Sequence, residues 1–258
     1  LFVGDETVVA DGALGSWAAP CDAAWADEVV ASLGAGERAI GALSFAPGAF
    51  VFGSNDYYPP SFRNPLKYVS RKPRTVRHPR VELPWRELKS GLEGFDWVDL
   101  DNRRAQLDVG GLHVDLRGTD DAHLNRDEYE QVAGPFDPAA DLKLGVTHAP
   151  YLRVLDQFTA DDPDLILAGH THGGQLCVPF YGALVTNCDI DTSRVKGPSR
   201  WGAHTQLHVS AGLGTSPYTP VRFCCRPEVT LLTLVAAPTG GGHAGIGADV
   251  TQPAISAR

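Results

Sequence analysis

Short apolar runs recur along the chain, and each ends in a polar or glycine-bearing turn. Phe50-Val51-Phe52 runs into Gly53-Ser54-Asn55-Asp56. Residues 105–109 and 112–116 flank Gly110-Gly111, which predicts a β-hairpin. The second of these runs reaches Gly118-Thr119-Asp120-Asp121-Ala122-His123, where Asp120 and Asp121 are expected to turn or cap the chain, or to line a cleft. Residues 142–146 end at Thr147-His148-Ala149-Pro150, and 165–168 end at Gly169-His170-Thr171-His172-Gly173-Gly174-Gln175. A run over 207–210 enters Gly212-Leu213-Gly214-Thr215-Ser216, and 229–235 reads as a final strand. Helical periodicity is predicted over 23–33, with Trp25, Val29 and Leu33 on one face, over 84–92, and over 126–132, stopped by Gly134-Pro135. Strands dominate and helices separate some of them, so the pattern predicts a layered α/β architecture.

The two ends differ from this grammar. Residues 1–46 are rich in Ala and Gly and read as an atypical N-terminal segment; residues 47–237 carry the strand-and-turn pattern; residues 238–258 lack periodicity and are expected to be a disordered tail. With 258 residues and 43% hydrophobic content the chain can bury one large core. No apolar run approaches the ~20 residues that span a bilayer, and no charged-then-apolar leader opens the sequence, so a cytoplasmic location is expected. Leu1 is not an ordinary start, which points to a fragment or a processed chain. The five cysteines have no C-x-x-C spacing and are expected to be reduced, with Cys224 and Cys225 as small buried residues.

Charge changes the picture in one place. A net charge of -9 argues against nucleic acid as a partner. Yet residues 63–80 hold Arg63, Lys67, Arg71, Lys72, Arg74, Arg77 and Arg80 and no acid. That segment is either a solvated loop or a lip for an anionic substrate or the inner face of a membrane. Tyr57 and Tyr58 beside it are expected to form a substrate wall or to pack in the core.

The candidate chemistry is histidine. His148, His170 and His172 each follow a predicted strand, and the H-x-H pair is set among glycines. Imidazoles without thiolates suit Mn, Fe or Zn in a catalytic rather than a structural site. A two-metal centre, with ions ~3.5–4 Å apart, clamps the attacking and leaving oxygens of a phosphoryl displacement.

Gly169-His170-Thr171-His172-Gly173-Gly174-Gln175, His148 in Thr-His-Ala-Pro, Gly53-Ser54-Asn55-Asp56 after Phe-Val-Phe, and the run from Ser210-Ala211-Gly212-Leu213-Gly214 to Arg226-Pro227-Glu228 resemble the calcineurin-like metallophosphoesterases, and among them the YkuE-like bacterial branch. The resemblance covers roughly residues 47–235 and implies a four-layer α-β-β-α sandwich. It implies a hydrolase of phosphomonoester, phosphodiester or pyrophosphate bonds with two metal ions (Mn, Fe or Zn) and a metal-bound hydroxide. His148 and His170 would bind one ion and His172 the other, with Asn55 as a further ligand; Asn55 and His148 are the catalytic positions. Arg63, Lys67 and Tyr57 would meet a phosphorylated small molecule or lipid headgroup. The family's D-x-H motif is missing from residues 1–46, where Asp5 and Asp22 are the candidate acidic ligands. Asn55 also stands where the family has a histidine, leaving His123 or His204 to assist the leaving group. The alternative is therefore an impaired or truncated family member that binds an anionic ligand or membrane through residues 63–80.

Overall fold

The computed structural model describes residues 8–12, 15–17, 47–59, 81–212, 214, 221–227, 229–236 and 246–249. In chain order the strands are β1 (Val8–Gly12), β2 (Gly15–Trp17), β3 (Ala49–Phe50), β4 (Val98–Asp99), β5 (Arg103–Val109), β6 (Leu112–Thr119), β7 (Leu142–Thr147), β8 (Leu165–Ala168), β9 (Cys177–Val178), β10 (Gly182–Ala183), β11 (Gly197–Trp201), β12 (Thr205–Val209), β13 (Val229–Leu231), β14 (Thr233–Ala236) and β15 (Ile246–Asp249). Helices span Ser54–Tyr57, Trp85–Glu93 and Leu152–Ala160.

A six-stranded sheet in the order β11-β12-β8-β7-β6-β5 positions the site. Its four inner strands, β12, β8, β7 and β6, run parallel, and the two edges, β5 and β11, are antiparallel. Period-two alternation sorts the side chains between its faces. Leu142, Leu144, Val146, Leu165 and Leu167 share one core with Phe50, Phe52, Leu92 and Trp97. Ile166, Ala168, Leu207 and Val209 lie in the other, against Val154, Leu155 and Phe158 of the helix Leu152–Ala160. Gly145 is what lets that helix sit close: a Cβ there would stand 2.8 Å from the Phe158 ring. The result is a mixed α/β fold. The β5–β6 hairpin turns as its sequence predicts, with Gly110 at φ 60 and Gly111 at φ 81, the left-handed pair of a type I′ turn.

Several expectations change. Residues 126–132 form only a 3-10 turn, Tyr129–Gln131. The segment is tied by long-range bonds instead of a helical ladder: Arg126 reaches Asp120, and the Glu128 amide donates to Asn102 Oδ1 at 2.9 Å. The strand expected at Phe50-Val51-Phe52 stops at Phe50, because the Phe52 amide donates to Asp101 Oδ1 at 2.9 Å rather than to a neighbouring strand. Ser54-Asn55-Asp56 belongs to one helical turn, not an open turn. The final strand splits at buried Leu232, with β13 pairing β1 and β14 pairing β15. β15 also lies inside the stretch expected to be a disordered tail; Ile246–Asp249 extends the free edge of β14. Cys225 is buried as expected, but Cys224 is exposed. The four described cysteines are all free thiols. The helix predicted at 84–92 is present one residue later, capped by Pro84, whereas that over 23–33 lies outside the described residues. Among the described residues no helix is long and apolar enough to cross a membrane.

Candidate metal centre

All parallel inner strands deliver polar residues to the same edge. β7 ends at Thr147 and hands on His148; β8 ends at Ala168 and hands on His170 and His172; β6 ends at Thr119 and hands on Asp120, Asp121 and His123; β12 ends at Val209 and hands on Ser210 to Gly214. The carboxyl edge of an open parallel sheet is where α/β proteins bind ligands. The same topology removes His204, which precedes β12 and so stands at the opposite edge, exposed.

His148 Nε2 and His170 Nδ1 face one another at 3.2 Å. His170 Nε2 lies 3.3 Å from the Asn187 carbonyl oxygen, which can only accept. The Asn187 side-chain Nδ2, which can only donate, lies 3.2 Å from the same nitrogen, so Asn187 can partner either neutral tautomer of His170 and fixes the position of its ring. Burial, reinforced by the neighbouring histidines, holds both rings neutral: His148 is pushed down to about 3 and His170 well below its ordinary value. His172 falls to about 4, through burial and then the nearby Arg222 guanidinium. His123 packs at a tilt of 42° against His170 with ring centroids 4.8 Å apart, and its Nδ1 is 2.9 Å from the Tyr151 hydroxyl.

The loop carrying these rings is strained. His170, His172, Gly173, Gly174 and Gln175 all have φ between 51° and 81°. Two of these are glycines, which accept the left-handed region, but the others are not. The surroundings hold them there. Thr171 Oγ1 donates to the Val195 carbonyl at 2.6 Å and accepts from the Gly173 amide. Arg222 donates to the carbonyls of His172, Ala211, Gly212 and Gly214, tying the Gly-rich loop after β12 to the histidine loop.

Gly53 packs on the other side of His148. A Cβ at Gly53 would come within 2.6 Å of the imidazole. Its φ of -111 suits any residue, so the prohibition is purely one of space. Gly53→Ala is expected to displace His148 and to weaken metal binding roughly tenfold, the lower range for disturbing a ligand's support. Titration of the variant with Mn²⁺ checks this.

Three carboxyls around this corner are raised by burial: Asp56 to about 7, Asp101 and Asp121 to about 8. Asp121 caps the turn at His123, as expected, and its Oδ2 has no hydrogen-bond partner among the described residues. Asp101 shares the Tyr57 hydroxyl with Asp120, at 3.3 and 2.9 Å. One hydroxyl proton cannot serve two carboxylates, so Asp101 bonds Tyr57 best when protonated. The folded Asp101 keeps its proton to about pH 8, while the unfolded side chain loses it near 3.8. Its contribution to stability therefore declines as pH rises from about 4 to 8 and is flat above. Asp101→Asn lacks this decline, so its melting temperature should gain on the unsubstituted chain across that window.

The sequence-predicted residues are divided by the structure. His148 and His170 come together. His172 follows in the same loop, and its ring lies 3.9 Å from the position a Gly214 Cβ would take. Asn55 is exposed on its helical turn. Tyr57 is a core residue rather than a substrate wall: it is buried against Phe52 and Trp85. Asp5, Asp22, Arg63 and Lys67, with the basic segment 63–80, lie outside the described residues. Among the described residues no three His, Cys, Asp or Glu side chains converge as a metal site would require. Sequence reasoning did not single out Asn187 or Arg222 for the site; neither carries a signal in its own spacing, since Arg222 acts on backbone carbonyls and Asn187 meets His170 across 17 residues.

Histidines at the carboxyl ends of adjacent parallel strands, in a strained glycine loop, define an open-sheet α/β protein with a polyhistidine corner. No family model matches the chain, and no solved structure matches it. It is 33% identical over 127 residues to the metallophosphoesterase YkuE of Bacillus subtilis, covering 48% of this chain and 41% of that protein. It is 42% identical over 94 residues to the phosphodiesterase YaeI of Escherichia coli, covering 36% of this chain and 32% of that one. The match to the metallophosphoesterase YkoQ of Bacillus subtilis is 28% over 151 residues, 58% of this chain and 53% of that one. The matches thus span from about a third to about half of each relative's length. At this modest identity the matches support a calcineurin-like metallophosphoesterase family.

Proposed function

We propose that this chain is a metal-dependent phosphoester hydrolase whose ion is held by His148 and His170. The 3.2 Å approach of His148 Nε2 to His170 Nδ1 carries this reading. Two imidazole nitrogens bound to one ion at ~2.0–2.1 Å stand roughly 3.0–3.4 Å apart. Neutral rings, with His170 held at Nε2 by Asn187, suit a metal-binding role. A cation bound there would supply positive charge against the charge that builds on a phosphoryl oxygen. In the dinuclear form of the proposal His172 serves a second ion, and Asn55, Asp5 or Asp22 would complete the ligands. Asp121 is a further acidic donor for this corner, favoured by its unpartnered Oδ2.

The chain's own residues then have defined tasks. Asn187 orients His170. Gly53 leaves the room that His148 occupies. Arg222 fixes His172 by holding its carbonyl. His123, packed against His170, is the group placed to meet a leaving oxygen. The proposed domain spans residues 47–237 in the four-layer α-β-β-α arrangement, and the substrate is a phosphorylated small molecule or lipid headgroup.

One observation favours a second reading. The described residues hold no converging three-donor cluster, as expected of a family member with an impaired centre that binds an anionic ligand. Turnover separates the two. The Mn²⁺-loaded chain is expected to hydrolyse p-nitrophenyl phosphate or its bis ester, with EDTA abolishing the reaction. Metal-loaded protein with no turnover of either ester would favour the impaired reading.

A further inference from the structure

Immediately after Gln175 the chain carries twelve residues without a charge, Leu176-Cys177-Val178-Pro179-Phe180-Tyr181-Gly182-Ala183-Leu184-Val185-Thr186-Asn187. They fold as the β9–β10 hairpin, with Val178 paired to Gly182. Apart from buried Ala183, its large apolar side chains are exposed. Phe180 is fully exposed, Tyr181 is 77% exposed and Leu184 56%. Val178 on β9 and Leu176 just before it are exposed, and Phe223, 58% exposed, joins them through the bridge between Leu176 and Phe223. Phe180 also sits at φ 65, a conformation that bulky residues rarely adopt. The fold thus holds an aromatic ring out at the hairpin tip at a cost in backbone strain. A contiguous exposed apolar surface of this kind marks an interaction site.

Charge indicates the occupant. From Leu176 to Arg226 the chain has Arg194, Lys196, Arg200, Arg222 and Arg226 against Asp189 and Asp191. The chain as a whole has a net charge of -9, so this excess of cations is local. Asp189 accepts from the Leu152 amide and Asp191 from Ser193, while Arg222 is taken up by four backbone carbonyls and Arg194 by the Arg200 carbonyl and the Trp201 ring. Lys196 and Arg226 are exposed. The Lys196 side chain reaches Gly173 at the base of the hairpin, and Arg226 follows Phe223 closely in sequence. Aromatic and aliphatic side chains with cations close by match an anionic bilayer, whose headgroups attract the cations while the acyl boundary takes the rings. A two-fold contact with a second copy would instead bring like-charged surfaces together.

We propose that the β9–β10 hairpin, with Phe180 and Tyr181 at its tip, docks this chain on an anionic lipid bilayer. The hairpin is anchored to the histidine loop at both ends. Gly174 packs under Ala183, and the Asn187 carbonyl meets His170. Docking therefore sets the histidine corner beside the membrane surface.

Flotation of the EDTA-treated full chain with vesicles tests this without reference to hydrolysis. Vesicles of phosphatidylcholine with phosphatidylglycerol should carry the protein, pure phosphatidylcholine vesicles should carry less, and added salt should weaken the binding. Phe180→Ser with Tyr181→Ser should lower binding roughly tenfold or more, as expected from losing one buried aromatic, with the melting temperature unchanged. Phe180→Trp should be quenched by brominated lipid more than the unsubstituted chain is. No flotation, equal flotation of the double variant, or a dimer that the double variant dissolves would each overturn the proposal; the last would assign the surface to a second copy.

Discussion

Replacing His170 by alanine is expected to abolish metal-dependent turnover while the fold survives. His170 is buried at the carboxyl end of β8, and its ring contacts His148, His123 and Asn187. Removing it deletes one nitrogen of the facing pair and leaves His148 without its partner. Disturbing a group that merely supports a metal ligand costs about 10–100-fold, so deleting a ligand should cost about 100-fold or more. The ring contributes little to the apolar core, which lies on β8 itself at Leu165, Ile166 and Leu167. Far-UV circular dichroism and the melting curve of the metal-free variant should stay close to those of the unsubstituted chain, while p-nitrophenyl phosphate turnover falls to background. Unchanged turnover would remove His170 from the site.

The largest loss of stability at the site is expected from Gly174→Ala. Two penalties coincide there. The residue has φ +81, where a side chain costs about 1–2 kcal/mol. The new Cβ would also stand 2.3 Å from the Ala183 Cβ and 3.2 Å from its Cα, and relieving such overpacking costs about 1–3 kcal/mol. Gly182 provides the control. It has φ +96 but nothing within 4 Å of its Cβ position, so Gly182→Ala carries only the conformational penalty. Gly174→Ala should thus lose about 2–5 kcal/mol, a drop of roughly 5–15 °C in melting temperature for a chain of this size. Gly182→Ala should lose less than half as much. Equal losses would mean that the hairpin yields freely to the histidine loop.

The sheet was legible where local chemistry and tertiary packing agree. Leu165 to Ala168 is wholly apolar because both faces of β8 are covered, and Gly110-Gly111 has the left-handed turn that its composition predicts. His148 and His170 could be paired from sequence because each follows a parallel strand. What escaped were features set by distant partners. The helix Leu152–Ala160 carries Val154, Leu155 and Phe158 on one face, a signal present in the sequence but short and broken by Asp156 and Gln157. Residues 126–132 have helical composition, yet Asn102 and Asp120 take their bonding groups. For Tyr57 the sequence offered a substrate wall or the core, and the choice of the core rests on distant partners, with its hydroxyl donating to Asp120. Asn187 and Arg222 act through contacts 17 and 50 residues away, which no local pattern encodes. That the apolar hairpin after Gln175 faces outward is visible only in the fold.

The central claim is that His148 and His170 together hold an ion. Calorimetric titration of the metal-free chain with Mn²⁺, repeated on His148→Ala and His170→Ala, tests it most directly. Saturable binding that weakens by about 100-fold or more in each variant is the predicted result. Binding of the same affinity and stoichiometry in all three proteins would contradict it.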